Sequence, residues 1–510
     1  GTYIKGSSET DAEVGDRAND PIRINGEEVR ARVIGEGANL GVTQRGRIAY
    51  GLKGGRSNSD AIDNSAGVNS SDVEVNIKIA LANPMRDGRL PRPKRNQLLA
   101  AMTNEVASLV LRNNYLQSLA ISLTERRGTG NGEELGRLMD VLEAAGQLNR
   151  KVEVLPDTAT FAERYATAKP LTRPEIGVLL SYAKLVLFDQ LIDSSLPDDP
   201  HFHTTLMQYF PAKMQKPYAA DIAAHRLRRE IIATGLANEV INRGGPGFVV
   251  AMSEATGTTP PDVVKAAMLA REGLGLHRLW AEVDALDNRI GGQAQNALYA
   301  VIGDIYAAAT RVILKTGQHR GDLGEAITAL QAAAKNLKGI VRTIMPADLA
   351  EEIAEREAEF RAAGVPEAVL TDVAGLVPLV VTPEIMQIAS RTGDSLTRAA
   401  DAYFTVSQSF RIGRLLLSGS RIVAVDHYDS LALARSLDQI AAARRDIVIA
   451  ALASHPKDKQ PVQSWHAGGR ARIDHIAAQL AALGDGGEPT LAKLSVAAAL
   501  LSDLTRDSAA

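Results

Sequence analysis

The sequence predicts a partial α/β domain at the N-terminus and, after it, a large, mostly α-helical region. Residues 1–80 are rich in Gly, Asn, Asp and Ser and contain short β-branched runs. From about residue 96, apolar residues recur at helical spacing almost without interruption. The 510 residues suffice for roughly three or four domains. We place the boundaries so that residues 1–82, 83–250 and 251–510 form three regions.

Strand, loop and helix signals alternate in the first region. Residues 29–34 have the β-branched pattern of a strand that ends at Gly35, and residues 61–62 form a shorter candidate strand. The shorter one ends in the turn 64–67, and we expect a helix from about residue 71 to residue 81. Strand, tight loop and helix in this order are typical of a parallel sheet, so the fold class is a Rossmann-like partial domain. Both loops then fall at the carboxyl ends of strands, where such sheets bind ligands.

The helical pattern is clearest after Thr172. Thr172 and Glu175 have the spacing of a capping box, and Pro174 falls in the first turn, where its missing N–H is not needed. Six apolar residues then share one helix face, namely Ile176, Leu179, Leu180, Ala183, Leu187 and Leu191. Runs of alanine in the final third favour long, closely packed helices.

Composition and charge exclude several classes of protein. A net charge of −3 gives no reason to expect nucleic acid or an anionic membrane as a partner. The chain has no cysteine, which excludes disulfides and thiolate chemistry and suits a reducing compartment such as the cytoplasm. No apolar run approaches the roughly 20 residues that span a bilayer. Because the chain begins with Gly1, we expect a segment of a longer protein or a trimmed product.

Two segments, residues 33–41 and 63–71, carry most of the functional signal. The first contains Gly37, Ala38 and Asn39. Glycine lets a backbone close on a flat ligand, and an asparagine amide donates and accepts at once, which suits a neutral carboxamide. Alone, the first segment is better explained as an ordinary strand-to-loop turn. The two segments together predict a nicotinamide site.

The second segment has a chemical logic of its own. Asn64, at the end of the expected strand, can reach a carboxamide, and the turn at Val68 can present backbone to a substrate. Ser71 would begin the next helix, where a hydroxyl and free N–H groups favour a carboxylate. An N-cap without any ligand is at least as good an explanation of Ser71.

Other polar clusters are better explained as solvated surface. Asp72, Glu74 and Asn76 lie at two-residue intervals, and neighbours two apart on a helix do not face each other. His201 and His203 lack a third ligand at a useful spacing. We therefore predict no metal site.

Several motifs resemble the large NAD-specific bacterial members of the glutamate dehydrogenase superfamily. That superfamily carries an E-G-A-N loop, as at residues 36–39, and then an N-A-G-G-V loop that leads to a serine, similar to residues 64–71. The further segments that carry the resemblance are 1–5, 15–20, 35–41, 43–47, 60–68, 74–79, 111–117, 171–175 and 225–232. The resemblance is specific up to about residue 245 and weaker beyond it.

The resemblance implies NAD as cofactor and the oxidative deamination of L-glutamate to 2-oxoglutarate and ammonia. By position, it implies cofactor contacts from Gly37, Ala38, Asn39 and Asn64, and substrate contacts from Val68 and Ser71. Asn39 would lie against the nicotinamide and its ribose, and Asn64 would hold the carboxamide. Ser71 would bind a carboxylate of glutamate.

The family's catalytic lysine and aspartate are expected upstream of Gly1, so we predict no catalytic residue in this chain. The implied partners are the enzyme's own N-terminal catalytic portion, against which residues 83–250 would pack, and further copies in a homo-oligomer. A second hypothesis is a non-catalytic helical scaffold for oligomerisation or regulation, because the long region after Leu81 shows no constellation that suggests chemistry. Both hypotheses are compatible within one polypeptide.

Overall fold

The computed structural model describes residues 1–419, 422, 427–485 and 488–506, and these residues are mostly helical. The chain divides into two compact units, Gly1–Lys265 and Ala266–Ala510. The division into two units does not test whether the chain has the three regions expected from the sequence. The boundaries of those regions therefore stay a prediction.

The predicted Rossmann-like partial α/β domain is wrong. In the described part of the chain the strands are Ile4–Lys5 and Ile24–Asn25, which pair in parallel. Residues 29–34 form no strand. Val33 makes one isolated bridge to Arg56, and its side chain is 68% exposed. Arginines alternate with the apolar residues of this run, and its β-branched side chains have no sheet face to cover, so nothing stabilises an extended strand.

The second predicted strand, at residues 61–62, belongs instead to the helical turn Asp60–Asp63. Ser59 occupies the N-cap position of this turn and acidic residues follow it, a composition that favours the start of a helix. The next helix is Ser65–Ala80. It begins six residues earlier than predicted, and Ser71 lies in its second turn.

The predicted helix after Thr172 is confirmed as Arg173–Ile192. The N–H of Thr172 donates to Oε2 of Glu175 at 2.7 Å, and the Thr172 side chain accepts from the N–H of Glu175, which completes the capping box. All six residues of the predicted apolar stripe are buried. The helix packs against Arg92–Arg126 and Arg228–Gly244, and these three helices carry the middle of the first unit.

The helices of the first unit are Asp11–Val14, Gln44–Leu52, Asp60–Asp63, Ser65–Ala80, Ala82–Arg86, Arg92–Arg126, Gly132–Ala144, Thr158–Ala166, Arg173–Ile192, His203–Tyr209, Ala212–Gln215, Ala219–Ala223, Arg228–Gly244 and Phe248–Thr256. Pro260–Gly273 runs across the division between the units. The helices of the second unit are Leu276–Asp284, Gly292–Thr316, Leu323–Lys338, Val341–Ile344, Ala347–Ala362, Glu367–Leu376, Thr382–Thr392, Leu396–Ser409, Ile412–Gly419, His427–Ser454, Pro461–Gly468, Arg470–Asp485 and Leu491–Arg506.

The second unit has a hydrophobic core of its own. Its centre is the long helix His427–Ser454, which packs against Leu396–Ser409 and Leu491–Arg506. Alanines such as Ala399 and Ala497 are fully buried in this core. Small side chains let the helices approach closely, in keeping with the alanine runs of the sequence.

Among the described residues, two helical stretches are long and apolar enough to cross a membrane, although no such run was expected. They are Gly292–Thr316 and Glu367–Thr392. In the most apolar 18 residues of these two stretches, 50% and 61% are buried inside the protein. Buried core helices have the same length and composition, so these stretches are only weak evidence for a membrane partner.

Candidate functional site

The first predicted segment forms a tight, strained loop. Asn39 and Leu40 both have φ of 62°, in the left-handed region that bulky residues rarely adopt, and Leu40 is 70% exposed. The buried carboxylate of Glu36 holds the loop, since it accepts from the N–H of Gly41 and pairs with the guanidinium of Arg47. Strain of this kind persists only where the surroundings impose it, and it is concentrated at functional sites.

The second segment is tied to the first and to the longest helix. The N–H of Glu36 donates to Oδ2 of Asp63 at 2.9 Å, which joins the two segments directly. Asn114 of helix Arg92–Arg126 donates to the carbonyl of Ile62 and to Oγ of Ser65, both at 2.9 Å. The junction at Asn64 is therefore fixed from two sides.

Asn64 and Gly67 form a close pair at the start of helix Ser65–Ala80. The N–H of Gly67 donates to the carbonyl of Asn64 at 2.9 Å. A Cβ at position 67 would lie 2.6 Å from Oδ1 of Asn64, so the side chain of Asn64 lies directly over this glycine. Among the described residues, none hydrogen-bonds the side-chain amide of Asn64, which remains available to a ligand.

The two segments share one cavity of about 670 Å³, which we call the amide cavity. Six carboxamide side chains line it, namely Asn39, Asn64, Asn69, Asn113, Gln117 and Asn238. The rest of its lining is Leu40, Asp60, Ala61, Ser65, Val68, Asp72 and Thr234. The charges in this described lining are two carboxylates and no cation. Neutral amides that both donate and accept suit a carboxamide or sugar hydroxyls.

The structure brings some of the predicted site residues together and leaves others outside. Asn39, Asn64 and Val68 line the amide cavity. Gly37 and Ala38 belong to the same loop but are not part of the lining. Ser71 is exposed and lies outside the lining as well. The expectation that Ser71 begins a helix is wrong, because the helix begins at Ser65 and its free N–H groups lie there. The substrate contact that the resemblance implies for Ser71 stays a prediction.

Among the lining residues that the sequence did not predict, four lie on two helices outside the two segments, and their spacing was the available signal. Asn113 and Gln117 are four apart on helix Arg92–Arg126, and Thr234 and Asn238 are four apart on Arg228–Gly244. Residues four apart share a helix face, so each pair places two polar side chains on the same face of its helix. Nδ2 of Asn113 donates to Oδ1 of Asn69 at 2.8 Å, which leaves the other halves of both amides for a ligand.

A hydrogen-bond network lies one helical turn beyond Asp72. Nδ2 of Asn76 donates to the hydroxyl of Tyr209 at 2.8 Å, and Nε2 of His225 lies 3.2 Å from the carbonyl of Asn76. The N–H of Leu227 donates to Nδ1 of His225, so the proton is on Nε2 and the ring is neutral. Burial lowers the pKa of His225 and favours this neutral form. The network anchors the helix that carries the cavity lining.

Comparison with known families decides the identity of the chain. Residues 1–124 match the family described as bacterial NAD-glutamate dehydrogenase, catalytic domain. Residues 168–503, about two thirds of the chain, match the family described as glutamate dehydrogenase, C-terminal. The chain belongs to the bacterial NAD-glutamate dehydrogenase family. The resemblance carried by the two loops and the later motifs is thereby confirmed.

Individual glutamate dehydrogenases are similar along nearly the whole chain. The NAD-specific glutamate dehydrogenase of Halomonas elongata is 37% identical over 503 residues, which cover 96% of this chain and 31% of the relative. The protein of the same name from Pseudomonas aeruginosa is 36% identical over 454 residues, with 89% and 28% covered. That of Mycobacterium tuberculosis is 33% identical over 511 residues, with 100% and 31% covered. The chain therefore spans about a third of the length of these relatives.

Proposed function

We propose that this chain is part of an NAD-dependent glutamate dehydrogenase and that its amide cavity binds the nicotinamide end of NAD. The reaction is the oxidative deamination of L-glutamate to 2-oxoglutarate and ammonia, and we place it in the cytoplasm. The observation that supports this most directly is that Asn39 and Asn64, which lie far apart in the sequence, line the same cavity. The names of the relatives support the cofactor and the substrate.

The lining assigns a limited role to this chain. The amides of Asn39 and Asn64 would hold the carboxamide and ribose hydroxyls, and Val68 would give an apolar contact beside them. NAD supplies the acceptor for the hydride from the α-carbon of glutamate. Because the described lining has no lysine or arginine, the cations that bind the carboxylates of glutamate and the catalytic lysine would come from the rest of a longer polypeptide.

Replacement of Asn64 by alanine in the full-length enzyme tests the proposal. We expect NAD to bind more weakly by about 1–3 kcal/mol, roughly 5- to 150-fold, because the carboxamide of NAD loses its hydrogen-bond partner in the cavity. Asn104→Ala is the matched control, since Asn104 is an exposed asparagine on helix Arg92–Arg126. Titration of each variant with NAD gives the affinities. Unchanged affinity in Asn64→Ala would remove the assignment of the amide cavity.

The second unit supports a further role in assembly or regulation. Residues 266–510 contain their own hydrophobic core, and the lining of the amide cavity lies entirely in the first unit. A unit of this size without a share in the cavity fits a helical scaffold. This role accompanies the catalytic one and does not replace it.

A further inference from the structure

Two helices of the first unit face each other across the amide cavity. Helix Ser65–Ala80, which we call the first wall, contributes Asp72 and other residues to the lining. Helix Arg228–Gly244, which we call the second wall, contributes Thr234 and one further residue. Helix Arg92–Arg126 packs against both walls. The separation of the two walls therefore decides whether side chains from both can contact one ligand.

The ring of His225 connects the two walls. His225 lies three residues before the second wall begins, and its Nε2 donates to the carbonyl of Asn76 on the first wall at 3.2 Å. Asn76 is one helical turn beyond Asp72 of the cavity lining. The side chain of Asn76 also donates to the hydroxyl of Tyr209, whose helix His203–Tyr209 packs against the second wall. Asn76 is thus held to the opposite side of the cavity through its backbone and its side chain.

Only the neutral form of His225 makes both of its hydrogen bonds. Nδ1 accepts from the N–H of Leu227 at 3.1 Å, while Nε2 donates to Asn76. A protonated ring carries a hydrogen on Nδ1 as well, and this hydrogen would face the N–H of Leu227. His225 is 2% exposed and packs against Phe210, with 5.7 Å between the ring centroids. Because a charge is unfavourable there, a protonated ring moves towards water and loses its bond to Asn76.

The charges next to His225 do not reverse this preference. Burial is the main cause that lowers the pKa of His225, and the positive charge of Arg226 lowers it further. The hydrogen bond from Nε2 and the carboxylate of Glu230 act in the opposite direction without outweighing burial. The ring is therefore neutral at pH 7.

Titratable groups on the neighbouring elements have partners of their own. Asp221 on the preceding helix Ala219–Ala223 is paired with Arg89 at 2.7 Å. Burial and the carboxylate of Asp72 raise the pKa of Tyr209, so its phenol keeps its proton where histidines titrate.

We propose that His225 is a positioning residue, whose neutral form fixes the separation of the two walls and whose protonation loosens the first wall beyond Asp72. His225 is not part of the described lining, so it acts on a ligand only through the helices that it joins. The consequence for NAD rests on the proposed function of the amide cavity. Binding of NAD weakens in acid, because the state that binds NAD is the one in which His225 is neutral.

Hydrogen exchange measured by mass spectrometry tests the positioning role without NAD. In the full chain, residues 72–80 should lose protection by roughly tenfold or more between pH 7 and pH 5, after correction for intrinsic exchange rates. The reason is that His225 takes up a proton once the two walls separate. His225→Gln should keep the same protection at both pH values, because glutamine also has a donor and an acceptor but does not titrate.

His203→Gln is the matched control for the exchange experiment. His203 is an exposed histidine on helix His203–Tyr209, so this variant should lose protection in acid as the unsubstituted chain does. His225→Asn, which has the same two groups, replaces His225→Gln if that variant does not fold. Equal protection of the unsubstituted chain at pH 7 and pH 5 would overturn the proposal. The same loss in the glutamine or asparagine variant would overturn it as well.

The effect on NAD has a separate readout. In the full-length enzyme, the dissociation constant of NAD should rise by up to about tenfold per pH unit below the pKa of His225, and His225→Gln should remove this rise. His225→Ala makes neither hydrogen bond and should bind NAD at least roughly fivefold more weakly at pH 7. A pH dependence that His225→Gln shares with the unsubstituted enzyme would overturn the connection to NAD. Failure of the proposed function is recognised independently, since it appears as unchanged NAD binding in Asn64→Ala.

Discussion

Gly67 determines how the side chain of Asn64 lies at the start of helix Ser65–Ala80. A methyl group at position 67 would lie 2.6 Å from Oδ1 of Asn64, so the amide must rotate away if glycine is replaced. For Gly67→Ala in the full-length enzyme, we expect NAD affinity to fall by about 1 kcal/mol or more. Alanine also favours the helix, so the free energy of unfolding should change by less than about 1 kcal/mol.

A glycine without such a neighbour is the control for this substitution. Gly303 lies inside helix Gly292–Thr316, and a Cβ there would meet no atom within 4 Å. Gly303→Ala should stabilise the protein by about 0.5–1 kcal/mol and leave NAD affinity unchanged. NAD titration together with thermal unfolding separates the two effects. Equal NAD affinity in both variants would contradict the role given to Asn64.

Lys184 is a lysine whose buried amine has no hydrogen-bond partner among the described residues. Its ammonium nitrogen is hidden from solvent without a hydrogen bond in the described part of the chain, and burial lowers the pKa of Lys184 to about 7. As the pH falls from 10.5 towards 7, the unfolded chain takes up a proton that the folded chain refuses, so stability decreases through this window and is level below it.

Lys184→Met should therefore stabilise the protein, on the order of 4 kcal/mol at pH 7, and the gain should shrink as the pH rises towards 10. Thermal unfolding of the first unit at several pH values measures this. Lys169→Met is the control, because Lys169 is exposed. A stabilisation that is the same at pH 7 and pH 10 would refute the burial of the charge as its cause.

At the scale of elements, the capping box of helix Arg173–Ile192 does more than start the helix. Glu175 is 1% exposed and accepts two hydrogen bonds from the guanidinium of Arg164, at 2.6 and 2.9 Å, in addition to those from Thr172. Thr172 in turn lies against helix Gln44–Leu52, since its side chain is 3.1 Å from a Cβ built on Gly51. The cap thus connects three elements.

Glu175→Gln should destabilise the first unit by roughly 3 kcal/mol, because Arg164 is left beside an amide that cannot balance its charge. Glu163→Gln, at an exposed position, should change stability by less than about 0.5 kcal/mol. Urea unfolding followed by circular dichroism gives both values. A loss below about 1 kcal/mol in Glu175→Gln would show that the ion pair adds little to the cap.

Local signals predicted the helices better than the strands. The capping box and apolar stripe of helix Arg173–Ile192 are complete within its own residues, so the sequence sufficed to find it. A strand depends on partners elsewhere in the chain, and the β-branched run at residues 29–34 has none in the described structure. The strand at residues 61–62 was predicted from two apolar residues. Ser59 and Asp60, which precede them, are typical of a helix start, and a helical turn forms there.

At the scale of the whole molecule, only part of the candidate site was accessible from the sequence, namely Asn39, Asn64 and Val68. Asn39 and Asn64 stand in short motifs that show their chemistry directly. Gln117 and Asn238 reach the amide cavity only because helices distant in sequence pack beside those motifs. Residues that join a site only through tertiary packing are hard to predict from the local sequence. Here the available signal was the four-residue spacing of polar side chains on two helices.

The second unit carries the prediction that concerns assembly. Its core is closed without the first unit, and Leu501 is fully buried within it. We expect the full-length enzyme shortened after Gly257, ahead of helix Pro260–Gly273, to keep a folded first unit and its NAD affinity but to lose the mass of the native oligomer. Leu501→Asp in the uncut enzyme should lower the mass in the same way, because a buried carboxylate disrupts that core. Light scattering measures the mass of each variant. If the shortened enzyme kept the native mass, the second unit would not be what holds the subunits together.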